Sequence, residues 1–243
     1  MRIPIIVPLY KSYHLLEKFA SSLELETKLD YRCVFIDNES NKEELDKSCF
    51  HKLNPLKYIL TSESTNLFYS RSVNKGFQLL VETLEKSTSP FFIVMNPDCF
   101  PLEENWLSKF LETWNRLKET DPNICTLGSI QYSHPSKQVI WHMGTIFKPE
   151  EQKHHPLDWI HLNSPELLKE IKANNQCCKV DGNTGTGIAI DIEKFKELGG
   201  FDEANHPHWS SDADFCLRAS SKGYSHYCSL VEMFHNPGQS VKK

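Results

Sequence analysis

The sequence predicts an α/β protein with a Rossmann-like, mainly parallel sheet, folded as a single compact domain. The prediction depends on short apolar segments that alternate with amphipathic ones, and on polar residues that directly follow the apolar segments. Size and composition agree with it, because 243 residues with 24% charged and 11% aromatic residues are ordinary for a globular protein with a sizeable core.

Four strands are predicted in the first half, each from a short apolar run of the kind expected in a buried strand. They cover residues 3–7, 32–37, 57–60 and 91–95. Helices are predicted between and after these strands, mostly because apolar side chains recur there three and four residues apart. They cover residues 14–23, a short polar segment at 41–49, 70–86 and 104–118.

The second half is less regular. Its predicted strands cover residues 124–131, 138–147, 186–191 and 225–235. One helix is predicted from residue 192 to a stop at Gly199 and Gly200, and another from residue 211 to Gly223. Residues 148–176 are polar with one short helical patch, and we interpret them as an insertion.

Charge and cysteine placement disfavour several classes of protein. The formal net charge of −5 argues against a nucleic-acid binder, which carries a basic excess. The cysteines are expected to be free, because Cys33, Cys216 and Cys228 lie in apolar patterns. Without a signal peptide, or an apolar run near the ~18 residues of a membrane span, a cytoplasmic protein is expected. Peripheral contact with the inner face of the membrane is compatible with this expectation.

Polar residues follow three of the predicted parallel strands. Ligands bind at the carboxyl ends of such strands, so these residues should converge on one crevice. They are Tyr10, Lys11, Asp37, Asn38, Asn96 and Asp98. The first loop, "VPLYKSYHLL", lacks the glycine patterns of NAD-binding and P-loop proteins, so side chains would have to hold a nucleotide. Asp37 is a candidate for the base or ribose hydroxyls, or else simply ends its strand and caps the next helix.

The segment "NPD" places Asp98 just beyond the fourth predicted strand. Pro97 biases Asn96 towards an extended backbone and stiffens the turn. A rigid carboxylate at a strand end suits Mg²⁺ or Mn²⁺, which prefer oxygen ligands and bridge to substrate phosphates. The alternative is an ordinary turn before a helix.

Two acids near the helix predicted from residue 211 have different explanations. Ser211 can cap this helix with Asp214 at the third helical position, and Asp214 can also pair with Arg218 four residues on. Asp212 points roughly 200° away from Asp214 on a helix, so it is a candidate general base. The alternative is favourable placement of its charge at a helix N-terminus.

His235 directly follows the last predicted strand and precedes the turn signal "NPG". Imidazole is a borderline metal ligand and would complement Asp98. A single histidine at a strand end is more often structural, so this interpretation depends on its partners.

Seven segments occur in the order found in family-2 glycosyltransferases with the GT-A fold, and the chain resembles that family over nearly its whole length. They are "IIVPLYKSYHLLEKFASSL", "VFIDNES", "NLFYSRSVNKGF", "FFIVMNPDCFP", "GIAIDIEKFKELGGFDE", "SDADFCLRASSKGY" and "FHNPGQS". Each segment alone is loose, but seven in order are specific. The "NPD" form, in place of Asp-x-Asp, resembles the rhamnosyltransferase-like branch.

The resemblance implies an inverting, metal-dependent hexosyl transfer from a nucleotide diphosphate sugar to an acceptor hydroxyl, in cell-surface polysaccharide or glycan synthesis. Residues 1–100 would bind the nucleotide sugar, and residues 101–243 would carry the base and bind a glycan or lipid-linked glycan acceptor. The cofactor would be Mn²⁺ or Mg²⁺.

The family's motifs also imply roles for single residues. Those implied to bind the nucleotide sugar are Pro8, Tyr10, Asp37, Asn66, Arg71 and Asn96. Asp98 and His235 would bind the metal, and Asp212 would be the catalytic base. Ser211 stands where the family often has Glu and is expected near the acceptor. Trp159, in the polar insertion, offers a flat ring for a sugar, the alternative being a passive surface insertion.

Other departures from the family concern Lys11, where Asn is common, and the absence of a glycine after Asn66. The chain also stops soon after His235, where many relatives carry a further element. These differences bear on the acceptor and on membrane docking more than on the chemistry.

Two other functions fit parts of the pattern. A sugar-1-phosphate nucleotidyltransferase shares the scaffold and the metal, but normally has a glycine- and arginine-rich first loop, which this chain lacks. A catalytically inactive module that binds sugar nucleotides or glycans would not need Asp98, Asp212 and His235 together. Release of pyrophosphate would support the first function, and donor binding without hydrolysis or transfer the second.

Overall fold

The computed structural model describes residues 1–39, 42–80, 89–147, 159–173 and 177–237. The described strands are β1 (Arg2–Leu9), β2 (Asp30–Asn38), β3 (Tyr58–Glu63), β4 (Phe91–Val94), β5 (Cys99–Pro101), β6 (Ile124–Tyr132), β7 (Ile140–His142), β8 (Thr145–Phe147), β9 (Trp159–His161), β10 (Cys178–Val180), β11 (Ile188–Asp191) and β12 (Ser225–His235). The described α-helices are α1 (Leu16–Leu23), α2 (Lys42–Lys47), α3 (Phe68–Phe77), α4 (Trp106–Thr120), α5 (Pro165–Ala173), α6 (Ile192–Glu197) and α7 (Ser211–Ser221). Single 3₁₀ turns occur at Tyr13–Leu15 and Phe50–Lys52.

One mixed sheet runs through both halves of the chain, in the order β10-β12-β6-β11-β4-β1-β2-β3. Strands β3, β2, β1 and β4 are parallel to one another, as the first half of the sequence predicts. The second half adds β11 antiparallel to both β4 and β6, and β12 parallel to β6. The α/β fold class is therefore confirmed, with parallel strands in the first half of the chain and a mixed remainder.

The apolar runs of the central strands are continuous because helices cover both faces of the sheet. Alternate side chains of β1 enter two different cores: Ile5 packs on one face with α1 and α4, and Ile6 on the other with α3, α6 and α7. Val34 and Phe35 of β2 divide between the same two cores. Burial on both sides therefore explains why these strands lack a polar alternation.

Several predicted boundaries differ from the structure. The segment predicted as one strand at 138–147 forms β7 and β8, which belong to different sheets. Gly144 separates them at φ +103°, where an added Cβ would lie 2.3 Å from Cγ1 of Val180. Helix α3 begins at Phe68, earlier than predicted, and continues as a π-helical turn over residues 78–80. The rest of that predicted helix, at 81–88, lies outside the described residues.

The polar insertion predicted at 148–176 contains regular structure where it is described. Strand β9 pairs with β8 in the small two-stranded sheet, and α5 follows it. Strands β5 and β10 were not predicted, because each is only three residues long. Residues 148–158 and 174–176 lie outside the described part of the chain.

All eight cysteines are free thiols, and Cys33, Cys216 and Cys228 are buried as the apolar patterns predict. Burial raises the pKa of Cys216 to about 12, so this thiol stays protonated and unreactive.

Within the described ranges, no helix is both long enough and apolar enough to cross a membrane.

His226 is a buried histidine that is held in its neutral form. Its Nδ1 lies 2.8 Å from Oγ1 of Thr126 and its Nε2 lies 3.1 Å from the carbonyl oxygen of Cys216. Burial lowers the pKa of His226 from 6.5 to about 4. The unfolded chain therefore binds a proton at this site in a pH range where the folded protein does not. Stability should fall as the pH drops through this window, by up to about 3 kcal/mol.

Urea unfolding across this window tests the expectation. The wild type should lose stability between its unfolded and folded histidine pKa values, and His226→Gln, which does not titrate, should lose clearly less. An identical pH dependence in the two proteins would contradict the assignment of a neutral buried ring.

Candidate active site

The carboxyl ends of β1, β2 and β4 lie at one edge of the sheet, because the three strands are parallel neighbours. Leu9 at the end of β1 is in register with Asp37 near the end of β2. Tyr10 directly follows β1, and Asn96 lies two residues beyond the end of β4. The structure thus brings together the strand ends that the sequence predicts to converge.

Asp37 carries a buried oxygen that suits a ligand. The residue is 2% exposed, and its Oδ1 has no hydrogen-bond partner among the residues that the structure describes. A buried carboxylate oxygen in this state is costly, so a hydroxyl or amide donated by a bound molecule would be favourable. The adjacent Asn38 is engaged differently: its Oδ1 accepts bonds of 3.0 Å from Leu67 N and from Ser72 Oγ.

The segment "NPD" forms a tight turn that leads into β5. The amide of Cys99 donates to the carbonyl oxygen of Asn96 over 2.9 Å, with Pro97 at the second position of the turn. Strand β5 then pairs antiparallel with β12, placing Cys99 opposite His235. This pairing brings Asp98 and His235 side by side, although they lie in distant parts of the sequence.

Asp98 and His235 form a buried pair, in which one side chain offers an oxygen and the other a nitrogen as a possible metal ligand. The Oδ1 of Asp98 lies 3.8 Å from Nε2 of His235, and the residues are only 3% and 5% exposed. The Nδ1 of His235 lies 2.8 Å from Oε1 of Gln131, and Trp141 packs edge-on against the imidazole at 4.5 Å between centroids. The ring is therefore held from two sides.

These two side chains fit a divalent cation. Carboxylate oxygen and imidazole nitrogen are ligands of Mn²⁺, and an ion ~2.1 Å from each atom fits between atoms 3.8 Å apart. Among the described residues, no group of three or more His, Cys, Asp or Glu residues surrounds a metal position. Water and substrate phosphate oxygens would have to complete the coordination, which is usual for Mg²⁺ at phosphate-transfer sites.

Asp212 lies in the first turn of α7 and is held by main-chain donors. Its Oδ2 accepts a hydrogen bond from Gly185 N at 2.7 Å, and its Oδ1 accepts one from Ala213 N at 2.9 Å. Burial raises the pKa of Tyr69 well above its usual value, and the negative charge of Asp212 adds to this. The carboxylate is therefore fixed in place beside a phenol that stays protonated.

The predicted capping box at Ser211 is wrong. Ser210, at φ +64°, is the N-cap, and its side chain makes no cap hydrogen bond. Ser211 is buried, and its hydroxyl lies 3.3 Å from the carbonyl oxygen of His208. The predicted pairing of Asp214 is confirmed, since Nε of Arg218 donates to its Oδ2 over 2.8 Å. The left-handed Ser210 shifts the start of the helix, so the cap that Ser211 would form is lost.

A loop at residues 184–187, here called the bridging loop, joins the separate parts of the site. Its Thr186 Oγ1 accepts from Asn96 N over 2.8 Å, while Gly185 N donates to Asp212. The carbonyl oxygen of Gly185 also accepts a hydrogen bond from the hydroxyl of Tyr69 on α3. The bridging loop therefore connects the "NPD" turn, α3 and the candidate base.

The bridging loop needs its two glycines. An added Cβ at Gly185 would lie 2.4 Å from the hydroxyl of Tyr69. Gly187 adopts φ +63°, and a Cβ there would lie 2.5 Å from Oγ of Ser129. This loop is not among the site residues predicted from the sequence, although the alternation of Thr and Gly in "TGTG" is a signal for a close backbone approach.

Other predicted site residues have more peripheral positions. Pro8 is a partly exposed residue of β1 opposite Ile36. Asn66 accepts from the amide of Phe68 over 2.8 Å at the start of α3. Arg71 is exposed, and its Nε lies 3.7 Å from Oε2 of Glu203. Trp159 begins β9, and its side chain lies outside what the structure describes.

Three rings near Asp212 form an exposed group, here called the aromatic patch: Phe68, His208 and Trp209. Trp209 is 77% exposed and Phe68 is 49% exposed. The ring centroid of His208 lies 4.8 Å from that of Trp209 and 6.3 Å from that of Phe68. The amide of Ser70 on α3 donates to the carbonyl oxygen of Pro207 over 2.9 Å, which holds the two segments together.

Comparisons with known proteins agree with this architecture. The family model "Glycosyl transferase family 2" matches residues 5–199. A crystal structure of GalNAc-T7 with UDP, GalNAc and Mn²⁺ is similar with a TM-score of 0.70 at 14% identity, covering 97% of this chain and 44% of that one. The mannosyltransferase PcManGT from Pyrobaculum calidifontis, in complex with GDP-Man and Mn²⁺, is similar with a TM-score of 0.61 at 16% identity, covering 100% and 57%.

The chain spans about half the length of these two solved structures. At such low identity the likeness concerns the fold, which is the GT-A fold of glycosyltransferases. No curated protein sequence matches the chain.

Proposed function

The chain belongs to glycosyl transferase family 2, and on this basis we propose that it transfers a sugar from a nucleotide diphosphate sugar to an acceptor hydroxyl with inversion. The observation that carries the proposal is the placement of three groups around one edge of the sheet. Asp98 and His235 form a buried pair, and the bridging loop bonds Asp212 on one side and the "NPD" turn on the other.

The donor would bind along the carboxyl ends of the parallel strands. Pro8 and Tyr10 would line the base pocket, and the buried Oδ1 of Asp37 would accept a hydrogen bond from the base or ribose. Asn96 would face the ribose. Asn66 and Arg71, at the start of α3, would lie near the diphosphate, and the exposed guanidinium of Arg71 would have to leave Glu203 to reach it.

Asp98 and His235 would hold Mn²⁺ or Mg²⁺ together with the diphosphate oxygens. A divalent ion there would neutralise the charge that develops on the diphosphate as it leaves. This assignment is supported by Oδ1 of Asp98 and Nε2 of His235, whose separation fits a divalent ion and whose residues are nearly excluded from water.

Asp212 would act as the general base. The acceptor oxygen would attack the anomeric carbon as the bond to the diphosphate breaks, and the acceptor proton would pass to the carboxylate of Asp212. The amides of Gly185 and Ala213 hold this carboxylate in a fixed orientation, which lowers the entropy cost of the step. Attack opposite the leaving group would invert the anomeric configuration.

The acceptor would bind over the aromatic patch. Trp209 lies three residues before Asp212 in the sequence, and its exposed ring can stack on the apolar face of a sugar. A glycan or lipid-linked glycan acceptor, in polysaccharide synthesis at the cytoplasmic face of a membrane, fits this arrangement. Ser211 is buried, so it would support the acceptor site only by stabilising the backbone there. Trp159 is the alternative residue on which an acceptor sugar could stack. Membership of the rhamnosyltransferase-like branch, suggested by "NPD", remains part of the proposal.

Trp209→Ala is expected to raise the Michaelis constant for the acceptor roughly fivefold, because about 1 kcal/mol of ring stacking is lost. The affinity for the nucleotide should stay unchanged. Steady-state kinetics with varied acceptor provide the measurement, and Trp159→Ala is the comparison. An effect of Trp159→Ala alone would place the acceptor on the 148–176 insertion instead.

A thermal-shift panel of nucleoside diphosphates, with and without Mn²⁺, tests the proposed function itself. A ligand present at 100 times its dissociation constant should add ~2.7 kcal/mol of stability. We expect one diphosphate to raise the melting temperature, and to raise it more when Mn²⁺ is present. A panel in which no diphosphate changes the melting temperature would contradict the proposed function.

A further inference from the structure

Gln131 connects the candidate metal pair to the bridging loop. It lies in β6 and is 1% exposed. Its Oε1 lies 2.8 Å from Nδ1 of His235, and its Nε2 donates to the carbonyl oxygen of Thr186 at 2.7 Å and to Oγ1 of Thr184 at 3.1 Å. All three heavy-atom contacts are well within hydrogen-bonding range.

The surroundings fix which way the amide of Gln131 points. The main-chain oxygen of Thr186 can only accept a hydrogen bond, so the NH₂ group of Gln131 must face it. The carbonyl oxygen of the amide then faces His235 and can only accept. The Nδ1 of His235 must therefore carry a proton, and in the neutral ring the lone pair lies on Nε2.

We propose that Gln131 is a positioning residue that holds His235 in the tautomer protonated on Nδ1, so that Nε2 is available for metal binding. It does so by accepting a hydrogen bond from Nδ1 while the bridging loop fixes its amide. The inference rests on the proposed metal-dependent function. It follows from geometry, because Nε2 is the His235 atom that faces Oδ1 of Asp98, at 3.8 Å. A histidine that ligates metal through one nitrogen commonly donates from the other nitrogen to an acceptor, which fixes the ring and raises its basicity.

A purely structural role for Gln131 makes a different prediction. A buried amide that only joins β6 to the bridging loop would contribute to stability, and its loss would leave the affinity for metal unchanged. A positioning role predicts a loss of metal affinity, because a side chain that hydrogen-bonds a metal ligand typically contributes 10- to 100-fold. The two roles therefore separate in a binding measurement that does not require turnover.

The test uses three variants and Mn²⁺ alone as the probe. Gln131→Met keeps the length of the side chain but removes the acceptor, and should weaken Mn²⁺ binding about tenfold or more. Gln131→Glu keeps an acceptor for Nδ1 and should bind Mn²⁺ much as the wild type does, although the contact with Thr186 is lost. Tyr132→Phe, in the next position of β6, removes a buried hydrogen bond to Glu232 and serves as the control for destabilised β6. Electron paramagnetic resonance of free Mn²⁺ gives the affinities.

The ring of His235 is observed directly by nitrogen-15 NMR of the metal-free protein, with its signal assigned from a His235→Ala sample. We expect Nδ1 to be protonated in the wild type and in Gln131→Glu, and the preference to be lost in Gln131→Met. A wild-type ring protonated on Nε2, or wild-type Mn²⁺ affinity in Gln131→Met, would overturn the role of Gln131. A wild type that binds no Mn²⁺, even with a nucleoside diphosphate present, would instead overturn the metal assignment in the proposed function.

Discussion

Asp212→Asn is expected to lower turnover by roughly 10²–10⁴-fold, the usual contribution of a general base. Asparagine keeps the size of the side chain, and its one oxygen can still accept a hydrogen bond from the amide of Gly185 or of Ala213. It cannot take a proton from an acceptor hydroxyl. Binding of the nucleoside diphosphate and of Mn²⁺ should therefore survive while turnover is lost, which calorimetry and steady-state kinetics can measure on the same protein.

Asp214→Asn provides the matched control, because Asp214 lies on the same helix and is also acidic. Its carboxylate pairs with Arg218 rather than with the bridging loop. We expect the substitution to cost at most about 1 kcal/mol of stability and to leave turnover close to that of the wild type. Equal losses of turnover in the two variants would show that helix α7, and not the Asp212 carboxylate, is what matters.

Asp98→Ala is expected to abolish the Mn²⁺-dependent part of nucleoside diphosphate binding and to lower turnover roughly 10²–10³-fold. The reason is that a divalent ion contributes several kcal/mol where charge develops in a transition state. The fold should survive, because the turn is held by main-chain bonds between Cys99 and Asn96 and between Asn236 and Asp98. Binding titrations in Mn²⁺ and in EDTA provide the measurement.

Asp30→Ala is a suitable control for Asp98→Ala. Asp30 lies at the end of β2 that is far from the candidate site, and it pairs with Arg2 near the surface. It should keep metal-dependent binding intact. If Asp98→Ala retains both its affinity and its sensitivity to EDTA, the metal does not bind at this residue.

The parts of the fold that the sequence predicts well are local. The continuous apolar runs of β1, β2 and β4 identify buried strands, and the helical periodicity of α1 and α4 identifies two of the helices that pack on them. From these elements follow the parallel half-sheet and the edge on which Tyr10, Asp37 and Asn96 converge.

The contacts that join the site come from parts of the chain that are distant in sequence, and this is why they could not be predicted. Strand β5 has three residues, and no periodicity reveals that it pairs with the end of β12. In the sequence, Gln131 is an ordinary polar residue near the end of a predicted strand. Its role becomes visible only from its contacts with the bridging loop and with His235. The sequence suggests Asp98 and His235 as joint metal ligands, but the strand pairing that brings them together is seen only in the structure.

Backbone conformation caused the remaining errors. Ser210 and Gly144 both have positive φ values. At Gly144 the predicted strand is divided into β7 and β8. At Ser210 the positive φ moves the helix start and removes the cap expected from Ser211. A positive φ at a serine has no clear sequence signal, because few non-glycine residues adopt it.

The most direct test of the proposed mechanism is the anomeric configuration of the first transfer product. The thermal-shift panel selects the donor, and proton NMR of the purified product reads the coupling at the anomeric carbon. If Asp212 removes the acceptor proton opposite the departing diphosphate, the product has the anomeric configuration inverted relative to the donor. A product with retained configuration would contradict the assignment of Asp212 as the base of a single displacement.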